Sequence, residues 1–395
     1  MPARTKDGVG SRIAYYRSAV RPKMTQQQLA EAACVALGTI RKIERGERGV
    51  GDSTLEAIAD ALGVDPIRLR TDRGPAHTRV HDALPALSAA IAAYDIPDDN
   101  PIRPLHELRA TIAEAARWRL AAQYTLIVRN LPDLLAELAR AYHQASTGRR
   151  GELAGLLVKA YRAADAVAYK FGAHDLSARL IELMRWAVPE TGDPLLTASV
   201  AYVRTETFFA ARAHAPGLRA LEQALDASPA PDTAPQIAAR GALHMRAAVI
   251  AGRARDAVAA TAHLNEARAL ADQVAENVYC GTAFGPDTVR IHEVSVAVSL
   301  GDEHVGRVIG LARDWRPPKG LPAERRSGFY IELARAQMWF GLADDAFESL
   351  KAARRIAPQH TREHPWVRED AATLRRLKRA DAESLTNFAE WCAAT

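Results

Sequence analysis

The stretch "MTQQQLAEAACVALGTIRKIERGER", residues 24–48, decides the fold of the N-terminal part of the chain. Thr25 is followed three residues later by Gln28, which is the spacing of a capping box at the start of a helix. After an interruption of about one turn at "CVALG", a second helix is predicted from Leu37 to Arg45, and Gly46 is placed to end it in the left-handed conformation. Two helices joined by such a tight turn predict a helix-turn-helix motif.

Further helices are predicted on both sides of this motif. Residues 11–20 place apolar side chains on one helical face, and residues 52–62 repeat the pattern between a polar cap, Asp52 or Ser53, and a stop at Gly63. A fifth helix is predicted to begin with Pro66 in its first position. The side chains predicted to face the core of this five-helix unit are Ile13, Tyr16, Val20, Ile40, Ile43, Leu55, Ile58, Ala59 and Leu62.

Residues 9–70 resemble the Xre or lambda-repressor-like DNA-binding domain. The cap, the apolar core and the turn all agree with that family in register. The resemblance implies that the second helix of the motif lies in the major groove of DNA. The matching residues are Thr25-Gln26, Leu29-Ala30, Thr39-Ile40, Ile43-Glu44, Gly46 and Leu62-Gly63-Val64.

The same resemblance assigns roles to individual side chains. Arg41 and Lys42 fall where the family reads bases, and an arginine favours guanine. Arg45 and Arg48 are expected at phosphates, which orient the protein without specifying sequence, and Gln26 matches a phosphate contact at the start of the preceding helix. Glu44 matches a residue that pairs with an arginine of the first helix, here Arg17. The residues expected to contact DNA are Gln26, Leu37, Gly38, Thr39, Arg41, Lys42, Arg45 and Arg48.

Three positions depart from the family pattern. Cys34 stands in the turn where the family usually has Gly, which predicts backbone strain unless the residue is simply small and buried. Gly38 offers no side chain to a base, and Leu37 can at most touch a thymine methyl group. These two residues favour an alternative function, a protein-interaction adaptor that has lost specific DNA binding.

The charge distribution singles out the same end of the chain. Residues 1–80 hold 14 Lys and Arg against 9 Asp and Glu, whereas the remaining residues hold 38 of each. All of the excess positive charge therefore lies in the first fifth of the sequence. That distribution is expected when one small domain binds a polyanion and the larger domain does not.

The composition predicts an all-α protein. Alanine is abundant and strand-type runs are nearly absent, while hydrophobic residues make up 48% and charged residues 25% of the chain. No apolar run approaches the roughly 20 residues that span a bilayer, and the N-terminus lacks the apolar core of a signal peptide. Cys34, Cys280 and Cys392 are too scattered to suggest disulfides or a zinc site. We therefore expect a cytoplasmic protein.

The remainder of the chain reads as a series of helices. Residues 71–79 are predicted to be a linker, a helix is predicted at 80–94, and three prolines within 95–104 predict another break. The predicted domains are accordingly a DNA-binding domain at 1–72, a linker with one helix at 73–104, and a helical domain at 105–395.

Residues 105–395 contain recurring helical pairs. Their turns are predicted at Gly172, near His214, and at Gly252, Gly301 and Gly341, about 40 residues apart except where an inserted loop is predicted at 276–289. This period predicts a stacked α-solenoid, and the units resemble tetratricopeptide repeats. The whole chain is similar to Xre-tetratricopeptide regulators of actinobacterial type and, more loosely, to peptide-pheromone receptors of the Rap and PlcR type.

The resemblance implies that the solenoid senses a peptide or small-molecule effector and mediates dimerisation. A solenoid of this kind presents a concave face that can bind a ligand. Each candidate residue has an alternative role as a packing residue between repeats, which is the commoner role for aromatic side chains at helical spacing. The candidate ligand-binding residues are Tyr124, Arg204, Phe208, His244, Arg246, Phe284, Tyr330 and Trp339.

No motif for catalysis is found in the sequence. His360 and His364 are four residues apart, but Thr361 occupies the position where a metalloprotease has Glu, and a helix ending near Pro365 explains the pair. We find no Gly-rich phosphate loop and no nucleophile motif. We therefore expect a non-enzymatic transcriptional regulator with no cofactor and no metal, whose partners are double-stranded DNA, an effector and a second copy of the chain.

Overall fold

The structure, a computed structural model, describes residues 9–19, 24–64, 69, 75–377 and 382–394 of the 395-residue chain. The chain divides into two compact units, with the boundary between Pro75 and Ala76. Apart from one short β-hairpin, the regular secondary structure of the described residues is helical, so the predicted all-α fold is confirmed.

The N-terminal unit contains four described helices packed on one apolar core. Ile13, Ile40 and Ile58 are fully or almost fully buried at its centre, as their helical spacing predicted. The predicted core residue Val20 and the predicted start of a fifth helix at Pro66 lie outside the described residues. The helices are α1 (Val9–Ala19), α2 (Gln26–Ala32), α3 (Leu37–Glu44) and α4 (Asp52–Leu62).

The predicted helix ends are confirmed with one correction. The Thr25 hydroxyl accepts from the Gln28 N–H, and the Gln28 side chain accepts from the Thr25 N–H, which completes the capping box. Gly46 and Gly63 both have left-handed backbones, with φ of 70° and 63°. Helix α4 is not capped by Asp52 or Ser53: it begins at Asp52 because Gly51 is the N-cap and its carbonyl already accepts from the Leu55 N–H.

Gly10 fixes how α1 packs against α3. A Cβ atom at this position would lie 1.8 Å from the carbonyl oxygen of Ile43, so only glycine allows the two backbones to approach this closely. The contact brings α1 against the C-terminal end of α3. Sequence periodicity carried no indication of this role.

The second unit is a series of antiparallel helical pairs followed by shorter helices. The first helices of successive pairs pack on one another, as in a stacked solenoid. The helices are α5 (Pro75–Ala92), α6 (Leu105–Leu120), α7 (Tyr124–Gln144), α8 (Thr147–Lys170), α9 (His174–Ala187), α10 (Pro194–Ala210), α11 (His214–Asp226), α12 (Ala234–Arg253), α13 (Ala257–Ala271), α14 (Pro286–Leu300), α15 (Val305–Asp314), α16 (Ala323–Trp339), α17 (Ala343–Ile356), α18 (Pro358–Glu363), α19 (Pro365–Leu377) and α20 (Ala382–Trp391), with 3-10 turns at Val188–Thr191 and Asp302–His304.

Five turns within the pairs share one backbone geometry. In each, a residue with positive φ follows the first helix, and the next N–H bonds to the carbonyl five residues earlier. The recurrence of this bond supports a common repeat even where the residue types differ. The positive-φ residues are Ala122, Gly172, Arg212, Arg255 and Gly341.

The predicted turns at Gly172 and Gly341 are thus confirmed, and the prediction for Gly252 is wrong. Gly252 lies inside α12, and Arg255 takes the left-handed position instead. A Cβ atom on Gly252 would lie 3.3 Å from the Val296 carbonyl oxygen, so this glycine serves the close packing of α12 on α14.

Two segments expected to be irregular are ordered. The expected linker gives way at Pro75 to helix α5, whose Val80 and Leu87 belong to the core of the second unit. The inserted loop predicted at 276–289 is a β-hairpin of β1 (Asn277–Tyr279) and β2 (Thr282–Phe284), paired in antiparallel fashion. Among the described residues, no helix combines the length and the hydropathy required to cross a membrane.

Candidate DNA-binding surface and polar interior of the solenoid

Helices α2 and α3 are joined by a turn centred on Cys34. The Val35 N–H donates to the Ala30 carbonyl at 2.9 Å, and Cys34 itself has a left-handed backbone with φ of 51°. Cys34 is exposed, so the alternative of a small buried residue is wrong and the backbone carries strain that Gly would avoid.

The outward face of α3 carries the predicted base readers. Arg41 and Lys42 are both exposed, and Ile40 and Ile43 hold the opposite face in the core. Gly38 is exposed with no atom within 4 Å of where its Cβ would be, whereas Leu37 and Thr39 are partly buried. Because Gly38 has no side chain and lies exposed, the backbone of α3 can approach a binding partner closely here, but Gly38 makes no side-chain contact with that partner.

Glu44 is held by two partners and braces the unit. Arg17 donates to both carboxylate oxygens of Glu44, at 2.7 and 3.0 Å, as the family resemblance implied. This hydrogen-bonded pair raises the pKa of Arg17. Gln26, expected at a phosphate, donates to Glu44 at 2.6 Å. The Gln26 side chain is therefore oriented by the same carboxylate that links α1 to α3.

The two remaining predicted phosphate contacts are exposed. Arg45 lies 3.0 Å from Glu47, and both side chains are largely in water. Arg48 is exposed on the loop after α3. An exposed ion pair of this kind contributes little to stability and is easily exchanged for another partner.

The predicted ligand residues of the solenoid do not form one site. Tyr124 and Phe284 are fully buried, and the Phe284 ring fills the space beside Gly241. The buried His244 ring lies 3.0 Å from His263 through their Nδ1 atoms. The remaining residues are spread over other surfaces: Arg204 stacks on Phe208, Tyr330 packs against the C-terminal core, and Trp339 is about half exposed.

Arg246 is the predicted ligand residue that leads to a larger polar assembly. Its guanidinium stacks 4.2 Å from the ring centroid of Tyr202 and lies 3.4 Å from Glu206. The Arg325 guanidinium donates to the Tyr202 hydroxyl at 2.5 Å, and Lys170 pairs with Glu324 at 3.0 Å. We call this assembly the polar interior; its members are Arg119, Arg162, Lys170, Tyr202, Glu206, Arg246, Glu324 and Arg325.

The hairpin β1–β2 reaches into the polar interior. The Arg162 guanidinium donates to the Cys280 carbonyl at 2.8 Å, the Thr282 hydroxyl at 2.6 Å and the Ser199 hydroxyl at 2.6 Å. Arg119 donates to the Gly281 carbonyl at 2.5 Å. The hairpin tip thus supplies neutral oxygen acceptors to two arginines of earlier repeats.

Electrostatics show a positive field at this place. Burial opposes ionisation of Tyr202, yet Arg246 and Arg325 together hold its pKa below the usual value. Burial, reinforced by the neighbouring Arg119, lowers the pKa of Arg162 to about 9. Burial and Glu206 raise the pKa of Asp165 well above its usual range, which disfavours the charged form of this acid.

Residues 20–69 match the family model described as helix-turn-helix. The N-terminal unit is an Xre-like helix-turn-helix domain. No curated protein matches the chain. One solved structure is similar, that of Bacillus thuringiensis PlcR in complex with the peptide PapR7 and DNA, with 14% identity over 68% of this chain and 95% of that chain. Its TM-score of 0.31 supports no conclusion about shape or ligand.

Most of the residues predicted to contact DNA lie on α3 of the helix-turn-helix domain and on the loop that follows this helix. Within the solenoid, the sequence reasoning found Arg246 and missed Arg119, Arg162 and Arg325. Arginines within otherwise apolar stretches of first helices, such as Arg162 in "AYRAAD", were an available indication. The convergence of Arg119 and Arg162 on the hairpin could not be seen, because the hairpin lies more than one hundred residues after both arginines in the chain.

Proposed function

We propose that the protein is a sequence-specific DNA-binding transcriptional regulator that acts in the cytoplasm as a homodimer. The observation that carries the proposal is the outward face of α3, where Arg41 and Lys42 are exposed beside a buried Ile40–Ile43 face in a helix-turn-helix domain. Exposed arginine and lysine on such a helix have the donors that recognise guanine in the major groove.

The remaining exposed cations support docking on the DNA backbone. Arg45 and Arg48 follow the C-terminal end of α3, and Glu47 is the only acidic residue among residues 45–49. In this proposal both arginines meet phosphates, and Gln26, oriented by Glu44, meets another. Gly38 and Leu37 leave the start of α3 close to the DNA surface with few base contacts.

The solenoid is proposed to sense a peptide or small-molecule effector and to set the spacing of two helix-turn-helix domains. Recognition helices in a dimer must lie about 34 Å apart, or a multiple of that distance, to enter successive major grooves. An effector that prefers one conformation of the solenoid would shift this spacing and thereby change operator affinity.

The test begins with genomic fragments recovered with the full-length protein, which supply the operator. Operator binding is then measured at fixed salt for the wild type, for Arg41→Ala with Lys42→Ala, and for Arg219→Ala, an exposed arginine on α11, as the control. We expect the double variant to lose about 1–3 kcal/mol of operator binding per removed base contact. Specific binding that survives both substitutions would contradict the assignment of the readers.

The alternative, an interaction adaptor, predicts a different salt dependence. Counterion release makes DNA affinity fall steeply between about 50 and 200 mM salt whenever several phosphates are contacted. A flat response with mixed genomic DNA would support the adaptor. The features that favour the adaptor are Gly38, which offers no side chain to a base, and Leu37.

A further inference from the structure

Among the described residues, no carboxylate forms a salt bridge with three arginines of the polar interior, although Glu324 and Glu206 act on Arg119 and Arg325 from a greater distance. Arg162 is buried and donates only to a carbonyl and two hydroxyl groups. Arg119 donates to one carbonyl, and Arg325 donates to the Tyr202 hydroxyl. Taking a cation out of water is costly unless an anion or a full set of acceptors replaces the water. These guanidinium groups would therefore form stronger hydrogen bonds with an anion than with the neutral oxygens they now contact.

The charges of the polar interior do not balance. Its eight members include five cations, of which Lys170 and Arg246 lie near carboxylates, and two acidic residues, Glu206 and Glu324. A further acid, Glu332, interacts with Arg325 and Lys170, and burial raises its pKa to about 7. Burial and Glu206 raise the pKa of the neighbouring Asp165 well above its usual value, which disfavours the charged form of this acid. An added negative group would offset this excess positive charge.

Buried polar atoms without a partner lie in the same place. Among the described residues, the Tyr124 hydroxyl, the Arg246 Nε and the Glu206 Oε2 of this region are buried and make no hydrogen bond. Tyr124 is within electrostatic reach of Arg119, Glu206 and Glu324. The Arg246 Nε can only donate and the Tyr124 hydroxyl can donate, so these two atoms can bind an acceptor group of a ligand, whereas Glu206 Oε2 can only accept a hydrogen bond from a donor.

Two guanidinium groups converge on the hairpin tip. A Cβ atom on Gly281 would lie 3.0 Å from Arg162 Nη1 and 3.2 Å from Arg119 Nη2, so two donors lie close to a single point. The tip reaches this point with Cys280 and Gly281 both in left-handed conformations, with φ of 47° and 76°. A non-glycine residue such as Cys280 is strained in that conformation.

We propose that the guanidinium groups of Arg119, Arg162 and Arg325 bind the carboxylate or phosphate group of a small anionic effector, and that the hairpin tip competes with that group for the donors of Arg119 and Arg162. The inference rests on the proposed sensing function and names the chemical class of its ligand. Charge-assisted hydrogen bonds to an anion are roughly twice as strong as those to neutral oxygens, so the anion displaces the tip.

The small space beside the hairpin tip is consistent with competition between the tip and an effector. The pocket lined by Ser199, Tyr202, Cys280 and Thr282 has a volume of about 10 Å³, which admits roughly one water molecule. An effector therefore enters only as the tip moves out. Because the hairpin connects α13 to α14 and rests on α12 through Phe284, its displacement changes the packing between repeats.

Calorimetric titration of the full-length protein with inorganic phosphate and with citrate tests the anion site, with sodium chloride at equal ionic strength as the blank. We expect saturable binding of at least one anion to the wild type and at least tenfold weaker binding to Arg162→Gln and to Arg119→Gln. Arg119→Lys keeps the charge and stays within about tenfold of the wild type, and Arg219→Gln on α11 binds unchanged. Circular dichroism establishes that each variant is folded before titration.

The hairpin is tested by Gly281→Ala, which adds a side chain in a left-handed conformation against both guanidinium groups. Its control is Gly306→Ala in α15, where nothing lies within 4 Å of the added atom. We expect Gly281→Ala to bind the anion several-fold more tightly, and amide exchange in residues 277–284 to accelerate when the anion binds wild-type protein.

Two results would overturn the inference. One is that the wild type shows no saturable anion binding beyond the sodium chloride blank. The other is that the folded Arg162→Gln and Arg119→Gln proteins bind the anion with the same affinity as the wild type. If Gly281→Ala bound the anion more weakly than the wild type, the proposed competition between the hairpin tip and the anion would be wrong. Loss of operator binding in all proteins, with anion binding intact, would reject the regulatory function and leave the anion site standing.

Discussion

The two units place arginine in opposite environments. On the helix-turn-helix domain, Arg41, Arg45 and Arg48 project into water, where their charge acts over long range and is screened by salt. In the solenoid, Arg162 is buried and donates to one carbonyl and two hydroxyl groups at fixed distances. The first environment suits a partner with many repeated charges, and the second suits one group of defined size.

One pair in the helix-turn-helix domain breaks this division. Arg17 and Glu44 are mostly shielded from water, with side chains 14% and 6% exposed. Removing one partner of such a pair leaves the other charge buried, which costs far more than the loss of an exposed contact. The Arg17–Glu44 pair therefore tests whether the contribution of a charged side chain to stability depends on its burial or on the unit in which it lies.

The largest effect is expected for Arg17→Ala. We expect the free energy of unfolding of the helix-turn-helix domain to fall by about 3 kcal/mol, because Glu44 keeps only Gln26 as a partner. Residue-resolved hydrogen exchange on the full chain measures this within α1 and α3. Arg48→Ala, which removes an exposed charge, should change the same quantity by less than about 0.5 kcal/mol. Equal effects in the two variants would refute the role of burial.

A smaller effect, dependent on pH, is expected in the solenoid. His292 is buried, its Nδ1 lies 2.9 Å from the Thr288 carbonyl, and burial with the nearby Arg325 lowers its pKa to about 3. The folded protein keeps this ring neutral while the unfolded chain protonates it below about 6.5, so its contribution to stability is full above that pH and is lost as the pH falls.

At pH 5 the free energy of unfolding should be lower by roughly 2 kcal/mol because of His292. The variant His292→Gln should therefore lose less stability than the wild type between pH 7.5 and 5, by about that amount. Urea unfolding followed by tryptophan fluorescence reports on the solenoid alone, since all six tryptophans follow residue 76. All twelve histidines also follow residue 76, so exchange in α1–α4 serves as the control. Parallel pH profiles for variant and wild type would exclude His292 as the cause.

The smallest effect on stability is expected for Glu47→Ala. Its ion pair with Arg45 is exposed, so unfolding should change by less than about 0.5 kcal/mol. DNA affinity at about 150 mM salt should nevertheless rise by roughly two- to fivefold, because the variant loses a charge that repels phosphate. Fluorescence anisotropy with operator DNA measures the change, and Glu56→Ala on α4 is the control. Weaker binding would show that Glu47 orients Arg45 productively.

The sequence was most informative where structure is local. The capping box at Thr25, the stop at Gly46 and the buried stripe of α4 involve residues a few positions apart, so the order of residue types specifies them. The partnership of Arg17 with Glu44 spans 27 positions and was reached through family resemblance. Gly252 was misread as a turn because a glycine that ends a helix and one that permits close packing look alike in sequence.

The sequence by itself determined the all-α fold, the helix-turn-helix motif and the recurrence of helical pairs, because apolar periodicity and capping act within one or two helical turns. Only the tertiary structure decided that Gly10 meets Ile43, that the insertion is a hairpin, and that its tip meets Arg119 and Arg162. Those contacts join residues up to 162 positions apart, where nothing local constrains the partner and only the packing of successive repeats brings them together.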